Sequence, residues 1–320
     1  MIRALQSYGT LIGFGTIVVV FAILLPQTFL TAQNLINISQ QISMLAVVAF
    51  AMTIVMVMTD YDLSVGSMAS LAGIVAAALF AAGYSLPVGI AAALLTGIVG
   101  GMLNGVLVSV LGILPFVATL GTLTVFSGAA FYIAGGKTFY GQDIPKSFSD
   151  FARGGLALDG MGLASVKLPF LTLTAVAVLA LVWVVLEQTA YGRKLYAIGG
   201  NREAAHLAGI KVRSLRLSAF ALTGFGAATG GLMYASRVAS ANPTQGSGLM
   251  LDAIAAVFLG MTMSREGEPR VLATLVGVMI LGILDNGLTQ LRIDSYIRDM
   301  LVGTIIIIAV AIPSVTKLRR

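Results

Sequence analysis

Apolar residues in this chain gather into ten runs of roughly membrane-crossing length, parted by short polar or glycine-bearing breaks. The runs fall at 9–25, 42–59, 64–82, 86–110, 115–134, 168–186, 217–236, 249–263, 271–291 and 296–312. A helix crosses the hydrocarbon layer in about 20 residues. The pattern therefore predicts an all-α, polytopic membrane protein of about ten transmembrane helices, forming one transmembrane domain over residues 1–320. The first run follows a lone Arg3 and has no small-residue cleavage site before Pro26, which reads as a retained span rather than a removed signal peptide.

Composition agrees. Apolar residues make up 58% and charged residues 10%, against about 25% charged in soluble domains. The net charge of +6 does not call for nucleic acid, because the cations sit in loops beside apolar spans. Without cysteine the chain has no disulfide, thiolate metal site or Cys nucleophile, and one histidine leaves little for an imidazole metal site.

Cations also give a topology. With Arg3 in the cytoplasm, the inner segments hold twelve cations and the outer segments seven. Four of those seven lie in one long loop, 135–167, where the positive-inside rule is weakest. An even number of spans puts both termini inside, so parity and charge bias agree.

The longest inner loop, 187–216, carries Arg193, Lys194, Arg202, Lys211, Arg213 and Arg216 against two carboxylates. Within it Asn201 is a good N-cap for a short helix over 202–208. Glu203 stands in the first turn, where the helix dipole favours an anion, and Gly209 follows as a stop. Ala204, Ala205 and Ala208 would give that helix a small-residue surface, suited to slotting into a partner's groove. The plainer reading is an amphipathic loop resting on anionic lipid. His206 reads as a surface residue of this loop.

Few polar residues interrupt the spans. Asp60-Tyr61-Asp62-Leu63-Ser64 leaves almost no room for a loop between two apolar runs. Two readings stand there: Asp62 caps the next helix, or a broken helix lines a wet cavity. Asn104, Asp252, Asp285 and Asn286 should face the bundle interior or water rather than lipid. Interhelical hydrogen bonds suit Asn104 and Asn286, and a cavity suits Asp285. Thr119, with Thr122, Thr124 and Ser127, either lines a polar path or bonds back to helix carbonyls. Gly97, Gly101 and Gly105 recur every four residues, as do Gly226 and Gly230, which predicts close helix packing. Gly135-Gly136-Lys137-Thr138 imitates a phosphate loop, but the position five residues before the second glycine is Phe131.

Glu203-Ala204-Ala205, three residues and then Gly209 resemble the coupling loop of bacterial ABC importer permeases. Upstream, Gly192-Arg193 and Ala197-Ile198-Gly199-Gly200-Asn201 are similar to the version in ribose-type monosaccharide permeases. Asp62-Leu63-Ser64-Val65-Gly66-Ser67, Pro115–Thr122 and Ala241-Asn242-Pro243-Thr244 resemble further segments of that family, over roughly 34–312. The chain departs from it at Tyr61 and in the charged stretch 260–270, where the family usually has a glycine-rich turn.

The resemblance implies a type II importer permease in the bacterial inner membrane. It would work with a second permease subunit, alike or unlike, with ABC ATP-binding subunits and with a periplasmic sugar-binding protein. ATP would be bound by the partners, so the chain itself needs no cofactor and is no enzyme. It further implies that Gly192, Arg193, Asn201, Glu203, Ala204, Ala205 and Gly209 couple to the ATPase. Asp62, Ser64, Asn104, Thr119, Asp285 and Asn286 are expected along the translocation path, and Arg237 at the docking face for the binding protein. The alternative is an ion-coupled secondary transporter with Asp60, Asp62 or Asp285 as the proton or sodium site.

Overall fold

A computed structural model of the chain describes residues 2–157, 167–264, 267–297, 299–301, 303–304 and 307, the side chains of residues 2–8 excepted. The tenth run, 296–312, lies mostly outside the described residues. The helices matching the other nine runs are α1 (Ile2–Leu24), α2 (Ala32–Met56), α3 (Val65–Ala81), α4 (Leu86–Ser109), α5 (Pro115–Ala134), α7 (Phe170–Trp183), α10 (Val212–Val238), α11 (Ser247–Met261) and α12 (Val271–Gln290). Between them lie α6 (Lys146–Arg153), α8 (Ala190–Gly200) and α9 (Arg202–Leu207).

Among the described residues, five helices are long and apolar enough to cross a membrane: α2, α4, α5, α12, and α7 with the π turn 184–188 that continues it. Gly9–Leu24, α3 and α11 are apolar but shorter. In α10, Arg213, Arg216 and Arg237 interrupt an otherwise apolar helix.

Two regions differ most from the sequence reading. The second span was expected from residue 42, but α2 begins at Ala32. Its first turns are polar yet helical, because Thr31 caps them by accepting from the Asn34 amide at 3.3 Å. The stretch read as an outer loop, 135–167, is also more than a loop in its described residues. Phe139–Tyr140 (β1) pairs antiparallel with Ser240–Ala241 (β4), and Gly155–Ala157 (β2) with Lys167–Pro169 (β3). Between these ladders α6 packs Phe148 against Phe80, ring centroids 5.2 Å apart. The false phosphate loop has an ordinary role: Gly135 ends α5 in the left-handed conformation.

The core is built around α2 and α10. From Ser43 to Met58 every residue of α2 and its last turn is buried, so this part of the helix is enclosed by protein on all sides. α10 packs along α4, where methyl groups added at Gly97 and Gly101 would overlap the Gly224 and Phe220 carbonyl oxygens. Backbones that close leave room for hydrogen only, which is the packing the four-residue glycine spacing predicts.

The connections gather at two ends of the bundle. One, the basic end, holds 57–64, 110–114 and the loop 187–216. The opposite end holds 82–85, 135–157, 167–169 and 239–246, tied together by the β1–β4 ladder and by Ser236 Oγ donating to the Phe148 carbonyl at 2.5 Å.

Candidate coupling and path sites

At the basic end, α7 gives way to the π turn and then to α8, whose cap Thr189 accepts from the Gly192 amide at 3.3 Å. Gly192 is buried, and a methyl there would overlap the Leu186 carbonyl. α8 is clamped to the bundle. Leu195 and Ile198 are buried, and Tyr196 donates to the Pro269 carbonyl at 3.0 Å. Burial and the neighbouring Glu187 carboxylate push the Tyr196 phenol above its ordinary range, so it stays a neutral donor. Arg193 is exposed.

α9 has the predicted caps. Asn201 Oδ1 accepts from the Ala204 amide at 2.9 Å, and Gly209 takes φ +80°. The helix is one residue shorter than expected, with Ala208 as its C-cap. The expected alanine surface needs correction: Ala204 and Ala208 are exposed, but Ala205 is buried against the bundle. A six-residue helix lying on protein must turn one side inward. Its free side presents Glu203, Ala204 and Leu207, the last 81% exposed.

What fastens α9 is a residue the sequence reading left without a partner. Asp60, 1% exposed, follows α2 and accepts from Arg216 Nε at 2.7 Å, from Arg216 Nη2 at 2.9 Å and from Arg202 Nη2 at 3.0 Å. Arg216 Nη1 also donates to the Val108 carbonyl at 3.3 Å. One carboxylate thus joins the ends of α2, α4, α9 and α10.

The residues expected along a path fall into separate places. Asp62, Ser64, Asn104 and Thr119 come together, all buried. Asp62 Oδ1 accepts from the Ser64 amide at 2.9 Å and the Ser64 hydroxyl at 2.6 Å. Asn104 Nδ2 donates to Ser64 Oγ at 2.8 Å and, at 3.3 Å, to Asp62. Thr122 donates to Asn104 Oδ1 at 2.6 Å, and Thr119 to the Tyr61 carbonyl at 3.3 Å. This network joins α3, α4 and α5 to the break after α2; the N-cap of α3 is Ser64, and Asp62 accepts the amide of Ser64 rather than one of the helix's own.

Asp285 and Asn286 lie towards the opposite end and point to different neighbours. Asn286 Oδ1 accepts from Asn34 at 3.1 Å and Gln290 at 2.8 Å, an interhelical contact of α2 with α12. Asp285 takes a hydrogen bond from Gln41 and lines a cavity of about 450 Å³ with Tyr234, Arg237 and Asp252. Arg237 is half-buried there. Tyr234 and Gln41 carried no sequence signal of their own; only the meeting of α2, α10, α11 and α12 brings them in.

With this geometry in view, comparison with known proteins decides the family. A model of the branched-chain amino acid transport system / permease component family matches residues 34–310. The chain belongs to that permease family. Among its relatives, the ribose import permease protein RbsC of Bacillus subtilis (strain 168) is 36% identical over 306 residues, covering 96% of this chain and 92% of the relative. The galactose/methyl galactoside import permease protein MglC of Escherichia coli (strain K12) is 33% identical over 336 residues, covering 98% of each. The D-allose transport system permease protein AlsC of the same strain is 31% identical over 309 residues, covering 96% of this chain and 91% of the relative. No solved structure matches this permease chain.

Proposed function

We propose that this permease is the membrane-spanning subunit of an ATP-driven ABC importer for a monosaccharide or related polyol. The observation that carries the reading is α9: a capped helix fixed to the bundle by Arg202 and Asp60, with Glu203, Ala204 and Leu207 left facing outward. A rigid, exposed helix with small side chains fits a groove in an ATP-binding subunit. The ribose, galactose and allose permeases named above support the solute class.

In this reading the chain crosses the bacterial inner membrane ten times, with both termini and the basic end in the cytoplasm. It pairs with a second permease subunit, alike or unlike, in the lipid bilayer. Gly192 and the π turn set the angle at which α8 and α9 leave α7, while Asn201 and Gly209 fix the ends of α9. Arg193, Glu203 and Ala204 meet the ATPase, and Ala205 seats the helix. Nucleotide binding and hydrolysis by the partner then bias the pair between outward- and inward-facing states. At the opposite end, Arg237 receives an acidic group of a periplasmic sugar-binding protein, since charge complementarity sets docking and orientation. Solute passes the Asp285 cavity first, and the Asp62–Asn104 network opens later in the cycle.

The test is uptake in proteoliposomes holding this chain with its ATP-binding and solute-binding partners. Uptake is expected to need ATP and both partners and to survive an uncoupler. Glu203→Lys should insert normally but lose ATPase association or coupled uptake. Unchanged uptake by Glu203→Lys would remove the coupling role, and ATP-independent uptake abolished by the uncoupler would favour an ion-coupled carrier.

A further inference from the structure

Asp60 is shared unequally. Arg216, its side chain 8% exposed, grips the carboxylate through two nitrogens, the fork geometry that makes guanidinium–carboxylate pairs strong. Arg202 reaches the same carboxylate through one nitrogen, and its side chain is 46% exposed. Two guanidiniums on one carboxylate leave the cluster with excess positive charge. Beside it opens a cavity of about 860 Å³, lined by Arg202, His206, Lys211, Arg213 and Arg216. Among the described residues Glu203 is the one carboxylate in that lining.

We propose that Asp60, Arg202 and Arg216 form a charge latch, and that the adjoining cavity receives an acidic side chain of the docked ATP-binding subunit. The incoming carboxylate takes Arg202, the weakly held and accessible partner, away from Asp60, while Arg216 keeps α2, α4 and α10 joined. α9 is then held to the bundle mainly by Ala205 and by its neighbour α8. Docking is thereby converted into a change in how firmly the loop helix is tied to α2. The proposal rests on the ATP-coupled reading above. Arg202 is a positioning residue in it, acting through Asp60.

The assembled importer in proteoliposomes tests the latch, with solute moved per ATP hydrolysed as the readout. Arg202→Gln is expected to retain the ATPase subunits and hydrolysis but to lower that ratio by roughly fivefold or more, the lower end of usual coupling factors. Arg202→Lys, which keeps the charge, is expected to restore most of it. A wild-type ratio in Arg202→Gln overturns the latch. So does loss of the ATPase subunit from that variant, which would make Arg202 a plain docking contact. If wild-type protein in vesicles without acidic lipid falls to the Arg202→Gln ratio, the cavity's occupant is a lipid headgroup and the acidic side chain is refuted. Failure of the importer reading itself looks different, because the wild-type chain would then move solute without ATP.

Discussion

Gly101→Ala tests the contact on which both sites depend. An added Cβ would stand 2.9 Å from the Phe220 carbonyl carbon and 3.0 Å from Ala221 Cα, and closer still to the Phe220 oxygen. Carbon atoms pack best at about 3.5–4.0 Å, so α4 and α10 must part by roughly 1 Å. The obstructing atoms are all backbone, and no rotamer change relieves them. Overpacking of this kind costs about 1–3 kcal/mol, while the better helix propensity of alanine returns at most about 1 kcal/mol. A gap of that width also forfeits a quarter to a half of each dispersion contact along the seam. The net expectation is a loss of about 1–2 kcal/mol. The opening would also stretch the Arg216–Val108 hydrogen bond, already 3.3 Å long. The assay is the melting midpoint of the detergent-purified chain, with Gly15→Ala as control because an added methyl there meets nothing within 4 Å. Gly101→Ala should melt several degrees lower than the control. A midpoint equal to or above it would refute the close-packing argument.

Three further variants separate stability from docking. Asp60→Asn leaves Arg216 buried and without its countercharge, which should cost about 3–5 kcal/mol and show as a lower melting midpoint. Adding Arg216→Gln to it should recover part of the loss, because the stranded charge is removed. Leu207→Glu changes a side chain that is 81% exposed, so the isolated chain should melt normally. Copurification with the ATP-binding subunit should nonetheless fall, by about 2 kcal/mol of binding if Leu207 anchors the interface.

Local chemistry made some of this legible and long-range chemistry hid the rest. Asn201 and Gly209 announce α9 because capping and a left-handed stop are written in neighbouring residues. Asp60 shows only that a carboxylate at membrane depth needs a partner. Its partners lie 142 and 156 residues away, and nothing in the sequence ranks Arg202 and Arg216 above the other cations of the loop. Burial is obscured for a similar reason. α2 and α7 are both apolar throughout, yet α2 is enclosed and α7 is largely open. Lipid and protein interior both accept leucine and valine, so hydrophobic periodicity cannot tell the two apart. Glycine spacing tells them apart only in part: Gly97, Gly101 and Gly105 mark where the α10 backbone arrives, whereas Gly9 and Gly13, at the same spacing, meet nothing within 4 Å. The early start of α2 is masked because Gln33, Asn34, Asn37 and Gln41 look like loop residues: Asn34 and Gln41 find their partners on α12, while Gln33 donates to Asn37 within the helix.

These close contacts also decide how the two ends of the molecule can communicate. α10 carries Arg216 in the charge cluster and Arg237 in the opposite cavity, roughly 30 Å apart along a continuous helix. Between them, Gly224 meets α4, Gly226 and Gly230 meet α2, and Gly231 meets α3, each too near for a methyl group to enter freely. A helix packed this closely along several faces, on backbone at Gly224 and Gly231 and on side chains at Gly226 and Gly230, has little room to bend locally, because close-packed interiors transmit strain rather than absorb it. In the function proposed above, a shift at Arg216 would reach Arg237 and the Asp285 cavity by movement of α10 with its neighbours as a body. The proposed latch acts at the foot of this rod: Asp60 holds α9 through Arg202 and α10 through Arg216, so releasing Arg202 frees α9 while α10 stays anchored.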